Sequence, residues 1–175
     1  MKLLRLNAKY LRIFAICLLA AFLTPYLFPN DKAAILNVFE QAAALAEVSA
    51  TNHPLERIGE VNKLLAYFTD ELELQFKLKD IDEIRIIGKK DLKAKALASK
   101  SAMKSLELNF EPLDTDINGD TAEVILRASA LGSTPDVKGK FFEQHQLKVF
   151  LVQQSGDWLI SRVTHLKNER DVDSN

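Results

Sequence analysis

The chain has 175 residues, with 23 basic and 24 acidic side chains. Residues 31–175 hold 19 of the basic and all 24 of the acidic side chains, and this net charge of −5 argues against a nucleic-acid-binding protein. Cys17 is the only cysteine, which excludes an intrachain disulfide and a zinc site built from cysteines. About 140 residues follow the first thirty, enough for one domain with its own hydrophobic core.

The first thirty residues have the pattern of a membrane anchor. Four basic side chains, Lys2, Arg5, Lys9 and Arg12, precede an uncharged apolar run over residues 13–28. The positive-inside rule then places the N-terminus in the cytoplasm and the rest of the chain across the membrane. We therefore predict that residues 1–30 are a signal anchor or single transmembrane segment, whose apolar residues include Ile13, Phe14, Leu18, Leu19, Phe22 and Leu23.

The alternative for this segment is a cleaved signal peptide. The apolar run is shorter than the roughly 20 residues of most spanning helices, but residues 24–30 contain no A-x-A-like site for signal peptidase. We predict an uncleaved anchor in a bacterial inner membrane, with the following domain periplasmic or extracellular. Cleavage would give an exported soluble protein instead.

The sequence of the remaining residues predicts two helices, then two strands, a third helix and four further strands. Apolar residues recur every three to four positions in three segments, and alternate with polar residues in the others. Asn30 or Asp31 caps the first helix, and Asn118-Gly119 marks a tight hairpin. This order is typical of an α+β domain. The predicted helices cover 31–50, 54–68 and 89–105, and the predicted strands cover 72–78, 84–87, a segment from 106, 122–131, 141–154 and 158–166.

Three segments resemble the nuclear transport factor 2-like (SnoaL-like) superfamily. They are residues 65–74, where a helix runs into a strand, residues 86–92 around Gly88, and the closing hairpin of residues 148–152 and 156–163. The resemblance covers residues 31–167, and residues 168–175 form a polar tail. It implies an α+β cone in which three helices pack on a curved, mostly antiparallel sheet, with a pocket at the open end.

The resemblance does not select a function, because this superfold hosts isomerases, dehydratases, cyclases and pure binding modules. In members resembling ketosteroid isomerase, a general-base aspartate stands on the first strand, where this sequence has Phe76. Phe39 stands where a tyrosine would be expected on the first helix. The isomerase pair is therefore absent, and no catalytic motif is evident.

Two strands supply candidate pocket residues. Glu143 and His145 alternate in phase with the apolar residues of 147–151, and Arg162 alternates in phase with Trp158 on the next strand. We therefore expect all three polar side chains to point into the cone and to gather at one end. A histidine beside a carboxylate can carry out acid–base chemistry near neutral pH. The alternative is a cross-strand Glu143–Arg162 ion pair with His145 at the rim.

Tyr67 and Asp70 are further pocket candidates, because they lie where the second helix meets the first strand. The alternative is a tyrosine packed through its ring with its hydroxyl in water. His53 is interpreted as a loop residue, and His165 has no evident partner. The three histidines lack metal-ligand spacing, and the sequence has no glycine-rich phosphate loop, so we expect no cofactor.

Residues 114–120 weakly resemble the first half of a calcium-binding loop. Such a loop needs oxygen ligands at alternating positions, a glycine, and a glutamate at its twelfth position, which is Ile125 here. The flanking residues also alternate as strands rather than helices. We therefore predict a polar hairpin and no metal, although the oxygen-bearing side chains are suitably spaced at Asp114, Asp116, Asn118 and Asp120.

The late strands carry apolar residues in both phases, so the outer face of the sheet is also apolar. In this superfamily the outer face commonly forms dimers. We predict an interface that includes Ile125, Phe150 and Val152.

The leading hypothesis is a membrane-anchored binding or assembly module that self-associates or joins a membrane complex, without nucleic acid. The alternative is a small-molecule-binding protein or an isomerase-, dehydratase- or cyclase-like enzyme that uses the cone pocket.

Overall fold

The computed structural model describes residues 30–49, 51, 53–76, 84–136 and 138–166. The predicted polar tail lies outside these residues, as does the predicted anchor except for Asn30, and both stay predictions. Within the described residues, no helix is both long enough and apolar enough to cross a membrane.

The described residues form three α-helices and one six-stranded sheet. Most predicted elements are present, with β1 beginning four residues earlier than predicted because Phe68 already pairs with Ile160. A 3₁₀ turn, Leu65–Tyr67, joins the second helix to the first strand. The elements are α1 Asp31–Ala46, α2 Pro54–Leu64, β1 Phe68–Phe76, β2 Ile84–Ile87, α3 Gly88–Ala102, β3 Ser105–Asn118, β4 Thr121–Ser133, β5 Phe141–Gln154 and β6 Asp157–Leu166.

The strands lie in the order β2-β1-β6-β5-β4-β3. Among the six described strands, only β1 and β6 pair in parallel, and the other four pairs are antiparallel. The mixed, mostly antiparallel sheet with three helices confirms the predicted α+β class. Because β6 is the last strand in sequence but lies next to β1, it joins the β1–β2 hairpin to the β3–β5 meander.

One face of the sheet holds the hydrophobic core, and we call it the inner face. Helix α1 lies against it and buries Ile35 and Phe39, while Phe39 also contacts the ring of Phe110 edge to face at a centroid distance of 6.4 Å. Burial of each large apolar side chain stabilises the fold by about 1.5–3 kcal/mol. The sheet contributes fully or nearly fully buried residues from four strands, namely Leu72, Val124, Leu126, Val149, Leu151, Trp158 and Ile160.

Helix α1 is held at both ends. At its start, the side chain of Asn30 accepts a hydrogen bond from the backbone N–H of Ala33, and Trp158 donates through Nε1 to Asp31 at 3.1 Å. Just beyond its end, Val48 and Leu106 exchange two backbone hydrogen bonds of 2.9 Å. The helix is therefore fixed to β6 at one end and to β3 at the other.

A β-bulge in β6 reverses which residues face the core. Ile160 pairs with Leu151 and Arg162 with Phe150, so the intervening Ser161 has no opposite residue on β5. Such an extra residue shifts the alternation of every side chain that follows. Before the bulge the even-numbered residues face inward, and after it Val163 does.

Candidate functional site

The inner face of β4, β5 and β6 is apolar over its middle, and its ionisable side chains lie at one end. The register pairs Ala128 with His145, Ala130 with Glu143, and Leu147 with His165. Glu143 and His145 therefore share the face of buried Leu147, as the sequence predicted, and His165 joins them across the neighbouring strand pair. Among the described residues of these three strands, Glu143, His145 and His165 are the only ionisable side chains on the inner face.

These three side chains form one hydrogen-bonded cluster. Nδ1 of His145 lies 3.2 Å from Nε2 of His165, and the two rings meet edge to face with centroids 5.0 Å apart. On its other side, Nε2 of His145 lies 3.4 Å from Oε2 of Glu143. The side chain of His145 is 30% exposed, so the cluster lies where the inner face opens to solvent.

The geometry can order the protons of the cluster. With Glu143 ionised, Nε2–H of His145 donates to the carboxylate, which leaves Nδ1 of His145 to accept a hydrogen bond from Nε2–H of His165. A carboxylate on one ring nitrogen fixes which tautomer of the histidine is present. The cluster can therefore accept a proton and keep the resulting positive charge near a carboxylate.

Small and apolar side chains surround the cluster. Ala128 and Ala130 lie directly opposite His145 and Glu143, and they leave more room than the leucine and valine that precede them on β4. On the other side, β1 pairs with β6, and Gln75 of β1 is opposite Thr164 of β6. The next residue of β1, Phe76, therefore lies beside His165, and Ile84 of β2 is opposite Phe76. Polar groups beside apolar walls are typical of small-molecule sites.

The cluster does not have the geometry of a metal site. Glu143 and His165 contact opposite ring nitrogens of His145, so the three side chains do not converge on one point. Within the described ranges, no group of three or more histidine, cysteine, aspartate or glutamate side chains could hold a metal ion. The segment that weakly resembles a calcium-binding loop is not a loop in the structure. Asp114, Asp116 and Asn118 lie on β3, and Asp120 is in the following turn. Because alternate residues of a strand are about 7 Å apart, these side chains do not surround one point.

Arg162 does not join Glu143 and His145, and its predicted position is wrong. The bulge at Ser161 turns Arg162 to the outer face, where its guanidinium carbon lies 5.3 Å from the ring centroid of Phe150. The alternative Glu143–Arg162 ion pair is excluded for the same reason. The sequence did carry a signal of this bulge, since two consecutive polar residues, Ser161 and Arg162, interrupt the apolar alternation.

That signal would also have identified His165. Once the alternation restarts at Val163, His165 falls on the inner face and comes next to His145. The histidine described above as having no evident partner is therefore the second imidazole of the cluster.

Tyr67 and Asp70 lie away from the cluster, at the opposite end of the β1–β6 pair. Tyr67 packs against the edge of the core, in agreement with the alternative interpretation of a packed ring. Asp70 is largely exposed and pairs with Lys89 at 2.9 Å. Neither residue contributes to the cluster of Glu143, His145 and His165.

The outer face combines apolar and charged side chains. Ile125, Phe150 and Val152 lie on it and are half-buried. Two cations contact the ring of Phe150, since Nζ of Lys148 lies 5.9 Å from the ring centroid in addition to the guanidinium of Arg162. An open cavity of about 390 Å³ adjoins these residues. Ion pairs also cross this face, at 2.6 Å each, between Lys148 and Glu123 and between Arg127 and Glu111.

No protein-family model and no curated protein matches the sequence. A scytalone dehydratase-like protein from Novosphingobium aromaticivorans is 12% identical, with a TM-score of 0.64 over 78% of this chain and 85% of that chain. A ketosteroid isomerase-like protein from Erwinia carotovora atroseptica is 14% identical, with a TM-score of 0.58 over 81% of this chain and all of that chain. A type 2 hexachlorocyclohexane dehydrochlorinase is 14% identical, with a TM-score of 0.60 over 79% and 90% of the two chains. The fold is therefore nuclear transport factor 2-like, as the sequence predicted.

Proposed function

We propose that this protein binds a small organic molecule against the inner face of its sheet and transfers a proton to or from it. The observation that carries the proposal is the Glu143–His145–His165 cluster, which holds the ionisable side chains of a mostly apolar face at its open end. Ionisable groups held together on an apolar surface are candidates for acid–base catalysis. This is the isomerase-, dehydratase- or cyclase-like alternative rather than the assembly module.

The similar structures support the same class of reaction. Their names denote a dehydratase-like protein, a ketosteroid isomerase-like protein and a dehydrochlorinase. Dehydration, dehydrochlorination and ketosteroid isomerisation all involve loss of a proton from carbon. In this chain, the position of the expected isomerase aspartate holds Phe76, and the base is instead a histidine pair on the adjoining strands.

In the proposed step, the histidine pair removes a proton from a carbon next to a carbonyl group. The electrons of the C–H bond form a carbon–carbon double bond, and the carbonyl oxygen gains the negative charge of an enolate. Nδ1 of His165 accepts the proton, and His165 passes its Nε2 proton to Nδ1 of His145 across the 3.2 Å contact. The imidazolium therefore forms on His145, where its charge is balanced by Glu143 at 3.4 Å. Where a carbon–carbon double bond already adjoins the carbon that loses the proton, return of the proton to the far end of that double bond completes an isomerisation. Where the adjoining carbon carries a leaving group, its departure with the bonding electrons re-forms the carbonyl group and completes an elimination.

Hydrogen–deuterium exchange at carbon tests this step without knowledge of the natural substrate. The full chain is incubated in D₂O with a panel of cyclic ketones, and loss of the α-proton signals is followed by NMR. Because general acid–base catalysis contributes about 10²–10⁴-fold, we expect His145→Gln and His165→Gln each to slow the catalysed exchange by at least about 100-fold.

The matched control is His53→Asn, which removes an exposed imidazole in the loop before α2. We expect this variant to keep the wild-type exchange rate. Urea unfolding of each variant separates loss of the base from loss of the fold. Exchange that is no faster with wild-type protein than in buffer for every ketone, or equal rates for all variants, would contradict the proposal.

We also propose the location and partners that the sequence predicts, as separate hypotheses. The basic and apolar residues of 1–30 support attachment to a bacterial inner membrane. The half-buried apolar residues Ile125, Phe150 and Val152 on the outer face support self-association through that face. Neither hypothesis is needed for acid–base chemistry at the inner face.

A further inference from the structure

The charge of the domain is divided unequally along the chain. Residues 88–104, which comprise α3 and the two residues after it, carry six lysines and one aspartate, a net charge of +5. Residues 31–87 and 105–175 together carry 13 basic and 23 acidic side chains, a net charge of −10. One helix therefore concentrates positive charge on an otherwise acidic domain.

Most of these lysines are not used inside the fold. Lys100 is buried, only 3% exposed, and binds Glu60 and the backbone carbonyl of Glu47 at 2.7 Å each. Lys89 pairs with Asp70. The other four are exposed, and none of them forms an ion pair with another described residue: Lys90, Lys93, Lys95 and Lys104.

Exposed aliphatic side chains lie on the adjacent helix. Leu55 is 78% exposed and Ile58 is 44% exposed, and both belong to α2, which packs against α3. The packing is fixed by Arg57, which donates to the carbonyl oxygen of Lys100 at 2.7 Å. Exposed lysines and uncovered aliphatic side chains therefore lie on two helices that pack against each other.

We propose that α2 and α3 form a docking surface for an anionic lipid bilayer. A bilayer rich in acidic phospholipid attracts lysines close to its surface, and leucine and isoleucine side chains enter the headgroup boundary. Nucleic acid fits this surface less well, because the net charge of −10 elsewhere repels an extended polyanion. Helix α3 packs against β1 and β2, at one edge of the sheet. The strand at the other edge is β3, which carries acidic side chains that include Glu107 and Asp116.

Docking of the domain must be distinguished from insertion of residues 1–30. We would therefore label the full chain with a polarity-sensitive fluorophore at Asn62→Cys, an exposed position one turn after Ile58, in a Cys17→Ser background. Vesicles of phosphatidylcholine with one-third phosphatidylglycerol are compared with vesicles of pure phosphatidylcholine. The apolar run and the four basic residues before it are present in every sample, so the comparison of the lysine variants with the wild-type chain on the same anionic vesicles reports the electrostatic contribution of the domain.

We expect the fluorophore emission to shift to the blue on anionic vesicles only, and to return at 0.5 M salt because the charges are screened. Each surface lysine contributes about fivefold to binding an anionic bilayer. The Lys90→Gln/Lys93→Gln/Lys95→Gln variant should therefore favour the undocked domain by about 100-fold and lose the shift. Lys138→Gln/Lys140→Gln, which removes two exposed lysines from the β4–β5 connection, should keep it.

Three results would overturn the proposal. One is an equal shift on neutral and anionic vesicles, and another is a shift on anionic vesicles that the triple variant retains. The third is that the fluorophore shows no shift on either kind of vesicle, while the same lysines are needed for binding to a short DNA duplex or for formation of oligomers of the chain. Unaltered urea unfolding of the triple variant shows that loss of the shift does not reflect loss of the fold.

Discussion

Gly132 is a residue whose missing side chain makes room for a neighbour on the inner face. A Cβ atom built there would lie 2.5 Å from Cζ of Phe141, 2.8 Å from its Cε1 and 3.0 Å from the carbonyl oxygen of Ser105. Overpacking of this kind costs about 1–3 kcal/mol. We therefore expect Gly132→Ala to lower the free energy of unfolding, measured in urea, by that amount.

The control for this prediction is Gly59→Ala, in the middle of α2. No atom lies within 4 Å of a Cβ built at Gly59, and alanine is favoured over glycine in a helix by about 1 kcal/mol, so this change should stabilise the protein. Truncation of the phenylalanine in Gly132→Ala/Phe141→Leu should recover part of the loss. Equal stabilities for wild type and Gly132→Ala would show that Phe141 does not occupy this position.

The histidine cluster shows how far residue-level reasoning from the sequence extends. The phase of Glu143 and His145 could be read from their strand, because β5 alternates without interruption up to Leu151. The side chains that meet them come from another strand, and their identity depends on register. A single unpaired residue, Ser161, turns Arg162 away from the site and turns His165 toward it. Strict alternation counted from Trp158 makes no allowance for such an extra residue, so it places these side chains on the wrong faces.

At the level of secondary-structure elements, the first turn of α1 depends on its cap. The N-cap side chain of Asn30 accepts from Ala33 N–H at 3.2 Å and satisfies one of the unpaired amides of the first turn. Asn30→Ala should lower the free energy of unfolding by about 1 kcal/mol, whereas Asn30→Asp, which keeps the acceptor, should change it by only a few tenths. Urea denaturation of the full chain measures both values, and an equal loss in the two variants would rule out this role.

Element types were predictable from the sequence more reliably than element ends. Periods of 3.6 and 2 are local properties, so α1, α2, α3 and the late hairpins could be predicted from their own residues. The start of β1 at Phe68 depends on a partner about 90 residues later, Ile160, with which it pairs in parallel. The extension of β3 through Pro112 and a bulge to Asn118 likewise depends on its pairing with β4.

At the scale of the whole molecule, we expect two copies to associate through the outer face. Phe150→Glu should raise the dimer dissociation constant about 30-fold, the effect of removing one well-packed interface residue, as measured by sedimentation equilibrium. The new carboxylate would lie beside Lys148 and Arg162, so the fold of each copy should be preserved. Leu55→Glu, on the helical layer, is the control and should leave association unchanged. A wild-type chain that sediments as a monomer at every concentration would refute the expectation.

The central position of β6 also constrains when the fold can form. The sixth of the described strands in chain order supplies the only sheet contact of the β1–β2 hairpin with the rest of the described strands. Until residues 157–166 have emerged, the nascent chain holds two unconnected pieces of sheet, and the apolar face of β1 lacks its neighbour. Contacts between residues so distant in sequence make folding slow. The growing chain must therefore stay unaggregated until β6 has emerged, and a truncation that removes β6 would divide the described sheet rather than shorten it.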